Sequence, residues 1–328
     1  MIEYLPSNDL PQIIEELSKT FPLERLKEVG MHCGLEYTSF PFFVDLKKYS
    51  RYDHSLGVAK IIYHFTKDIK QAISGLFHDI STPSFAHVVD FVYGDYDKQE
   101  ATERKTKDVI ISSKEIMDIL NKNDISIDEV DDYHKYPLAD NDSPKLSADR
   151  LEYSLSNFIN FSFLSKEETQ EIYDDISIGI NEEGEEELMF SSFSLALKFG
   201  NNVLNNSKVY VSDPDRYSME RLARIIKQAL DKNIVDINKL YSLDEPSLID
   251  IFKKDEEVYA SFLSFRKMHT LSKSNDKDGP YSFKISAKKR YIDPYIKGQG
   301  RLSKLDKDFA LSLAEFVSQS FDYYLKAE

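Results

Sequence analysis

The chain has 328 residues, of which 41% are hydrophobic and 30% charged, a balance that excludes a disordered polypeptide and a fibrous repeat. Its net charge of −15 argues against nucleic acid as a main partner, because a duplex-binding surface needs clustered lysine and arginine. No stretch approaches the roughly 20 apolar residues of a membrane span, and residues 1–10 carry no secretory signal, so we expect a cytoplasmic protein.

The amino-terminal half has the pattern of a helical core. Apolar residues at helical spacing predict two short helices within residues 9–31, followed by an irregular connection at 37–44. From about residue 55 to residue 160 the pattern predicts one helix after another, with breaks at Pro83, at 94–97 and at 140–144. Apolar residues between 69 and 77 follow the spacing of a buried helix face, so that helix is expected to end at the pair His78-Asp79.

The carboxyl-terminal half is mixed. Alternating residues at 176–180 and an apolar segment at 188–190 flank an acidic run with Gly184, which indicates a β-hairpin, an acidic surface loop being the alternative. Helices are predicted over 193–204, 216–232 and 307–325, and a mobile loop over 272–279. We therefore predict a mainly α protein with a helical core in residues 1–165 and a helical region with a possible hairpin, residues 166–328, packed on that core.

Four residues of metal-ligand type stand in the core: His54, His78, Asp79 and Asp149. Two imidazoles and two carboxylates neutralise a divalent ion and leave coordination positions for water or a phosphate oxygen. Neighbouring residues on a helix point about 100° apart, so His78 and Asp79 converge on one ion only where their helix ends. Residues 81–83, Ser-Thr-Pro, supply that ending.

The order of these residues and the sequences around them resemble the HD superfamily of metal-dependent phosphohydrolases. The matching segments are RYDHSLGV at 51–58, the pair at 78–79, PSFAHVVD at 83–90 and ADRLEY at 148–153. Within the superfamily the closest match is the deoxynucleotide triphosphohydrolase branch, which includes the bacterial dGTPases and the SAM-and-HD-domain dNTPase. The similarity covers roughly residues 20–160. It implies an HD-domain fold and one divalent metal ion (Mn, Fe, Zn, Mg or Ni) on His54, His78, Asp79 and Asp149.

The resemblance also implies catalytic residues near the metal. His87 and Asp90 lie three apart on a helix that Thr82-Pro83 is expected to start, so both can face the same side. In the family such a pair lies over the metal's water, with Asp90 orienting His87. Glu103 matches a family glutamate that positions a water or histidine, although dipole stabilisation by an acidic residue in a first helical turn is the simpler alternative.

A second helix, expected to start at Ser143-Pro144, carries Asp149, Tyr153 and Asn157 along one stripe. In the family, the positions that match Arg51, Arg150 and Tyr153 contact phosphates. Core packing is the alternative for Tyr153. The position that matches Asn157 is commonly an aspartate that binds the sugar hydroxyl, and asparagine keeps the hydrogen bonding but not the charge.

Basic residues in the carboxyl-terminal half are expected to be a solvated face, the alternative being that they reach over a phosphate pocket. They are Lys284, Lys288, Lys289, Arg290 and Arg301.

Two positions depart from the family. Thr82 and Thr102 stand where its members often carry histidines, which are candidates for protonating the leaving oxygen. Loss of a general acid costs about 10²–10⁴ in rate. This departure leaves two functions open, hydrolysis and weakly catalytic nucleotide sensing.

The sequence predicts a metal-dependent phosphohydrolase acting on a nucleotide or related phosphate ester, a dNTP first. A catalytically weak nucleotide sensor is the alternative. A two-iron oxygenase of the HD type ranks last, because His64 and His134 are poorly placed as extra ligands. Family members are frequently oligomers, so a homo-oligomer is a further expectation.

Overall fold

The computed structural model of the chain describes residues 10–97, 102 and 104–328. Helices account for 55% of it and strands for 8%, which confirms the mainly α prediction. The helices are α1 Gln12–Ser18, α2 Phe21–Glu24, α3 Pro41–Val44, α4 Arg51–Thr66, α5 Ile69–Phe77, α6 Val88–Tyr93, α7 Thr106–Ser112, α8 Lys114–Lys122, α9 Ala148–Asn160, α10 Lys166–Asp174, α11 Phe193–Tyr210, α12 Asp213–Asp231, α13 Glu245–Phe252, α14 Glu256–Arg266, α15 Leu302–Leu305 and α16 Lys307–Ser318. The strands are β1 Ile176–Ile180, β2 Glu186–Phe190, β3 Leu271–Ser274, β4 Tyr295–Ile296, β5 Gly300–Arg301 and β6 Tyr324–Ala327.

The strands form two small sheets. The antiparallel pairing of β1 with β2 confirms the predicted hairpin. Parallel pairing of β2 with β4 extends this sheet to the order β1-β2-β4-β5. The other sheet pairs β3 with β6, so two predictions were wrong: residues 272–274 are a strand rather than a mobile loop, and the last helix ends at Ser318 rather than at residue 325. Residues 271–274 and 324–327 are strands because they pair with each other. Local periodicity does not reveal a partner that is so distant in the chain.

The structure confirms the main elements predicted for the amino-terminal segment. The two short helices within 9–31 are α1 and α2, and the connection at 37–44 contains the single helical turn α3. The fourth helix begins at Arg51, earlier than residue 55, because Ser50 and Asp53 form a capping box there. Among the described residues, no helix is long and apolar enough to cross a membrane.

The helix predicted to start at Thr82-Pro83 starts later, at Val88. Residues 84–87 form turns in which Phe85 and Ala86 have φ of 62° and 48°, outside the helical region. The Thr82 hydroxyl does not cap this helix.

The helix predicted to start at Ser143-Pro144 was also misplaced. It begins at Ala148, where the Ser147 hydroxyl accepts a hydrogen bond from the backbone N–H of Arg150. The cap is therefore a serine, as expected, but one that lies four residues later in the chain.

Two hydrophobic clusters hold the helices together. One includes Phe77, Phe158 and Phe199, and the other includes Phe91 and Phe262. Each cluster draws residues from both sides of residue 165, and the division of the chain at that residue stays a prediction.

A buried ion pair ties the hairpin to β5. Arg301 Nη1 and Nη2 donate to the Glu187 carboxylate at 2.6 and 2.7 Å, and this carboxylate also accepts from the Leu146 N–H at 2.9 Å. Glu187 is fully buried. A buried carboxylate is stable only while its charge is compensated.

We predict that Arg301→Ala lowers the free energy of unfolding by about 3–5 kcal/mol, because it leaves the Glu187 carboxylate buried without a counter-charge. Urea denaturation measures the change. Lys284→Ala, which removes an exposed pair with Asp322 and a distant contact with the Tyr324 ring, is the control and leaves the midpoint unchanged. Equal midpoints for Arg301→Ala and the unsubstituted protein would contradict the structural role of the pair.

Candidate metal centre

The ends of three helices bring His54, His78 and Asp149 together. His54 lies in the first turn of α4, His78 directly follows α5, and Asp149 is the second residue of α9. One ligand atom from each lies within 4.8 Å of the others. His54 Nε2 is 3.1 Å from His78 Nε2 and 2.9 Å from Asp149 Oδ1. Such a His-His-Asp cluster suggests a metal ion.

Asp79 borders this cluster. Its Oδ2 is 3.5 Å from His78 Nε2 and 3.9 Å from His54 Nε2. Arg51 Nη1 donates to Oδ2 at 2.7 Å, and the Thr82 hydroxyl donates to Oδ1 at 2.8 Å. The carboxylate is thus held beside the histidines, and its role as a fourth ligand stays a prediction.

Each histidine of the cluster has its Nδ1 fixed by an acceptor. His54 Nδ1 lies 2.6 Å from Glu152 Oε2, and His78 Nδ1 lies 2.6 Å from the carbonyl oxygen of Gly75. Donation from Nδ1 leaves each Nε2 lone pair directed at the cluster, the usual arrangement of metal-ligating histidines. The donor set therefore fits a divalent ion.

Glu152 is a residue of this site for which the sequence predicted no role. It is fully buried on α9 and accepts hydrogen bonds from the hydroxyls of Tyr49 and Ser156 as well as facing His54. Gly57 makes room for it, because a Cβ there would lie 2.6 Å from Glu152 Cγ. The available signal was spacing: an acid three residues after Asp149 and a glycine three residues after His54.

Charges within the cluster compensate each other. Burial acts to lower the pKa of His54, but hydrogen bonds to Asp149 and Glu152 outweigh it and raise that pKa to about 10. Burial acts to raise the pKa of Asp79, but Arg51 and the two histidines lower it below its ordinary value. The Asp79 carboxylate is therefore ionised, and a divalent cation would displace protons from the imidazoles.

A cavity of about 220 Å³ opens over the cluster. This volume lies just below the roughly 300–1,000 Å³ of small-molecule sites. Asp90 does not line the cavity, and Glu103 lies outside the described residues. The remaining candidates that line it are His54, His78, Asp79, Asp149, His87, Arg51, Arg150, Tyr153 and Asn157.

His87 lies at the start of α6, with its Nδ1 3.1 Å from Oδ2 of the fully buried Asp90. Burial lowers the pKa of His87, and Arg290 and Arg51 act in the same direction against the opposing effect of Asp90. The ring is therefore neutral at pH 7. The pair is in contact, while the catalytic roles of its members stay predictions.

The proposed phosphate contact Arg150 is already engaged. Its Nη1 donates to Asn141 Oδ1 at 3.0 Å and to the carbonyl of Lys145 at 2.7 Å. These bonds hold the loop that precedes α9 and leave the guanidinium at the cavity wall.

The basic residues of the carboxyl-terminal half divide into two groups. Lys288, Lys289 and Arg290 line the cavity, as in the alternative that the sequence left open, although Lys288 is also exposed. Lys284 is exposed, as expected, and Arg301 is buried in its pair with Glu187. The segment between β3 and β4 thus brings positive charge to the cavity.

The histidines that a two-iron site would need are elsewhere. His64 packs against Phe65 and Tyr173, and His134 stacks on Tyr133. Within the described part of the chain, neither belongs to the His-His-Asp cluster.

Comparison with known proteins identifies two relatives in sequence. No family model matches the chain. The uncharacterized protein YdhJ of Bacillus subtilis (strain 168) is 29% identical over 308 residues, which cover 90% of this chain and 89% of YdhJ. The metal-dependent phosphohydrolase cns2 of Cordyceps militaris is 22% identical over 238 residues, which cover 71% of this chain and 66% of cns2.

Solved structures share the fold. A phosphohydrolase from Bacteroides thetaiotaomicron matches with a TM-score of 0.62 at 15% identity, covering 98% of this chain and 96% of that one. A hypothetical protein from Aquifex aeolicus matches with a TM-score of 0.62 at 17% identity, covering 97% and 93%. At these identities the solved structures show a shared fold. They do not bear on the dGTPase branch.

We predict that Glu152→Gln weakens metal affinity about 10- to 100-fold, because the amide no longer provides the carboxylate charge that orients and polarises His54. A calorimetric titration of the protein with the metal ion measures the affinity. Glu186→Gln, an exposed change on β2, is the control. Unchanged affinity in Glu152→Gln would show that this carboxylate does not support the metal centre.

Proposed function

We propose that the protein is a metal-dependent phosphohydrolase that acts on a nucleotide, with a (d)NTP or a related phosphate ester as the first candidate. One observation carries the proposal: the His-His-Asp cluster and the basic residues 288–290 line one cavity. Ligands for a cation and positive charge for phosphate oxygens are the two requirements of metal-assisted phosphate ester hydrolysis. The phosphohydrolases that resemble the chain support a hydrolase.

The residues around the cluster divide the work. A divalent ion on His54, His78 and Asp149, with Asp79, would supply an acidified water and a charge that polarises the phosphate. Arg51 holds Asp79 through its 2.7 Å hydrogen bond and adds positive charge at the cavity wall. Arg51 is 7% exposed, so water screens that charge weakly.

His87 is suited to accept a proton. Asp90 accepts from its Nδ1, which fixes the ring and leaves Nε2 as the acceptor. A neutral histidine with such a partner can act as a general base or bind the attacking water.

A nucleotide sensor is the second candidate. The observation that favours it is the Thr82 hydroxyl, which donates to Asp79 at 2.8 Å at a position where a proton donor to the leaving group was expected. Thr102 lines the cavity without offering an acid. A cavity with these residues can bind phosphate and turn it over slowly.

We expect the protein, supplied with Mn²⁺, Mg²⁺, Fe²⁺ or Zn²⁺, to release phosphate, pyrophosphate or triphosphate from a member of a nucleotide panel. His78→Ala abolishes this release, because the cluster loses a ligand. His64→Ala, outside the cluster, is the control. Tight nucleotide binding without turnover would contradict the hydrolase and support the sensor.

We expect His87→Gln to lower kcat by about 10²–10⁴ through loss of the proton acceptor. The pKa of His87 is lowered from its ordinary value of 6.5, so the ring is neutral at pH 6.5 and above. The kcat of the unsubstituted protein therefore falls only when the pH drops below the lowered pKa, where the ring becomes protonated. The variant lacks this acid limb, whereas the exposed control His269→Gln keeps it. An acid limb that persists in His87→Gln would rule out this role.

A further inference from the structure

Two arginines of α12 stack on aromatic rings of the segment that leads to the cavity. The guanidinium carbon of Arg221 lies 4.3 Å from the centre of the Tyr281 ring, and that of Arg224 lies 4.2 Å from the centre of the Phe283 ring. Both distances are within the range of cation–π contacts. The arginines are three apart on a helix and the rings are two apart in an extended segment, so each pair shares one face. The two stacks therefore hold one side of the segment against α12.

The held segment continues into the basic residues of the cavity. We call residues 281–290 the strap. Arg216, also on α12, donates from Nη1 to the carbonyl of Ile285 in the strap at 2.5 Å. Two residues further on, the strap reaches the cavity, which residues 287–290 line. The place of their positive charge therefore depends on how α12 holds the beginning of the strap.

Arg221 differs from the other buried arginines of the described chain in its partners. Each of the others donates to a carboxylate or a backbone carbonyl: Arg25, Arg51, Arg216 and Arg301. Arg221 is 7% exposed and, among the described residues, forms no ion pair and donates to no carbonyl. Burial lowers its pKa, whereas Tyr281 acts to raise it. A buried charge is costly unless it is compensated, and here the contact with Tyr281 provides the compensation.

Tyr281 is held less firmly than Phe283. Phe283 is buried, packs on the Tyr217 ring at 5.4 Å between centroids, and exchanges two backbone hydrogen bonds with Leu325. Tyr281 is 48% exposed, and its carbonyl accepts a hydrogen bond from the Tyr217 hydroxyl at 2.9 Å. The stack of Arg221 on Tyr281 is thus an anchor at the protein surface. Its ring can be removed without opening the hydrophobic core.

We propose that Arg221 and Arg224 are positioning residues, which hold the strap on α12 so that residues 288–290 are preorganised at the cavity to bind phosphate. The inference rests on the proposed function, since it assigns these basic residues to the phosphate. Neither Arg221 nor Arg224 lines the cavity, so their effect passes through the strap. Charges that are already in place bind an anion more tightly than charges that must first be ordered. A loosened strap therefore weakens phosphate binding, while the metal centre on α4, α5 and α9 keeps its geometry.

The test compares Tyr281→Ala with Tyr281→Phe on the metal-loaded full chain, because neither changes the charge and only the first removes the ring. With the nucleotide that the panel shows to be hydrolysed fastest, we expect Tyr281→Ala and Arg221→Gln to raise KM about 2- to 30-fold, the range set by one cation–π contact. They leave kcat and metal affinity unchanged, because the metal centre is intact. Tyr281→Phe keeps the original KM, as does Lys227→Gln, which removes an exposed charge from α12. Thermal unfolding of each variant verifies folding.

A binding measurement separates the positioning role from the catalytic proposal. Calorimetry measures the affinity of the same metal-loaded proteins for inorganic phosphate. If no nucleotide is hydrolysed but phosphate binds, and Tyr281→Ala weakens this binding while Tyr281→Phe does not, the positioning role stands and the hydrolase fails.

The remaining outcomes overturn the positioning role. Turnover with KM and phosphate affinity unchanged in Tyr281→Ala and Arg221→Gln overturns it and leaves the hydrolase. A joint fall of kcat, metal affinity and phosphate affinity in these variants shows a general loss of structure and overturns it as well. No turnover, with phosphate bound equally by all the proteins or by none, overturns both proposals.

Discussion

The His54 imidazole lies between two carboxylates of one helix, Glu152 at Nδ1 and Asp149 at Nε2. Because the two acids are three residues apart on α9, the packing of α4 against α9 does two things. Glu152 sets the orientation of the His54 ring, and Asp149 is placed beside it as a second metal ligand. Gly57 permits the approach, since any larger residue would meet Glu152. The rest of the site is arranged around this fixed imidazole, with His78 at the end of α5 and Asp79 beside it.

The sequence predicted the ligands and their order but not everything that holds them. His54, His78 and Asp149 each lie in a short motif that can be recognised from neighbouring residues, and the fold brings the three motifs together. The sequence predicted no role for Glu152 because it does not show that this glutamate is buried or which residues it contacts. The two predicted helix starts, at Thr82-Pro83 and at Ser143-Pro144, were misplaced because a helix can begin at a proline but does not have to. Positive φ at Phe85 and Ala86 depends on tertiary packing.

The two halves of the chain contribute different chemistry to one cavity. The amino-terminal half provides the cluster together with Arg51 and His87, and these lie in the motif. The carboxyl-terminal half provides residues 288–290 and Asp215, for which no motif exists. Recognition groups outside a motif can be found only when the fold shows which segments meet, which is why the basic run was first expected to be a solvated face.

The most direct test of the central claim is a crystal structure of the protein loaded with Mn²⁺, with the ion located by anomalous scattering. We predict one strong peak bonded to His54 Nε2, His78 Nε2 and Asp149, at distances of about 2.0–2.2 Å as for oxygen and nitrogen ligands. Density for Asp79 in the same shell would complete the predicted ligand set. A protein that binds the ion elsewhere, or shows no peak at the cluster, would contradict the account.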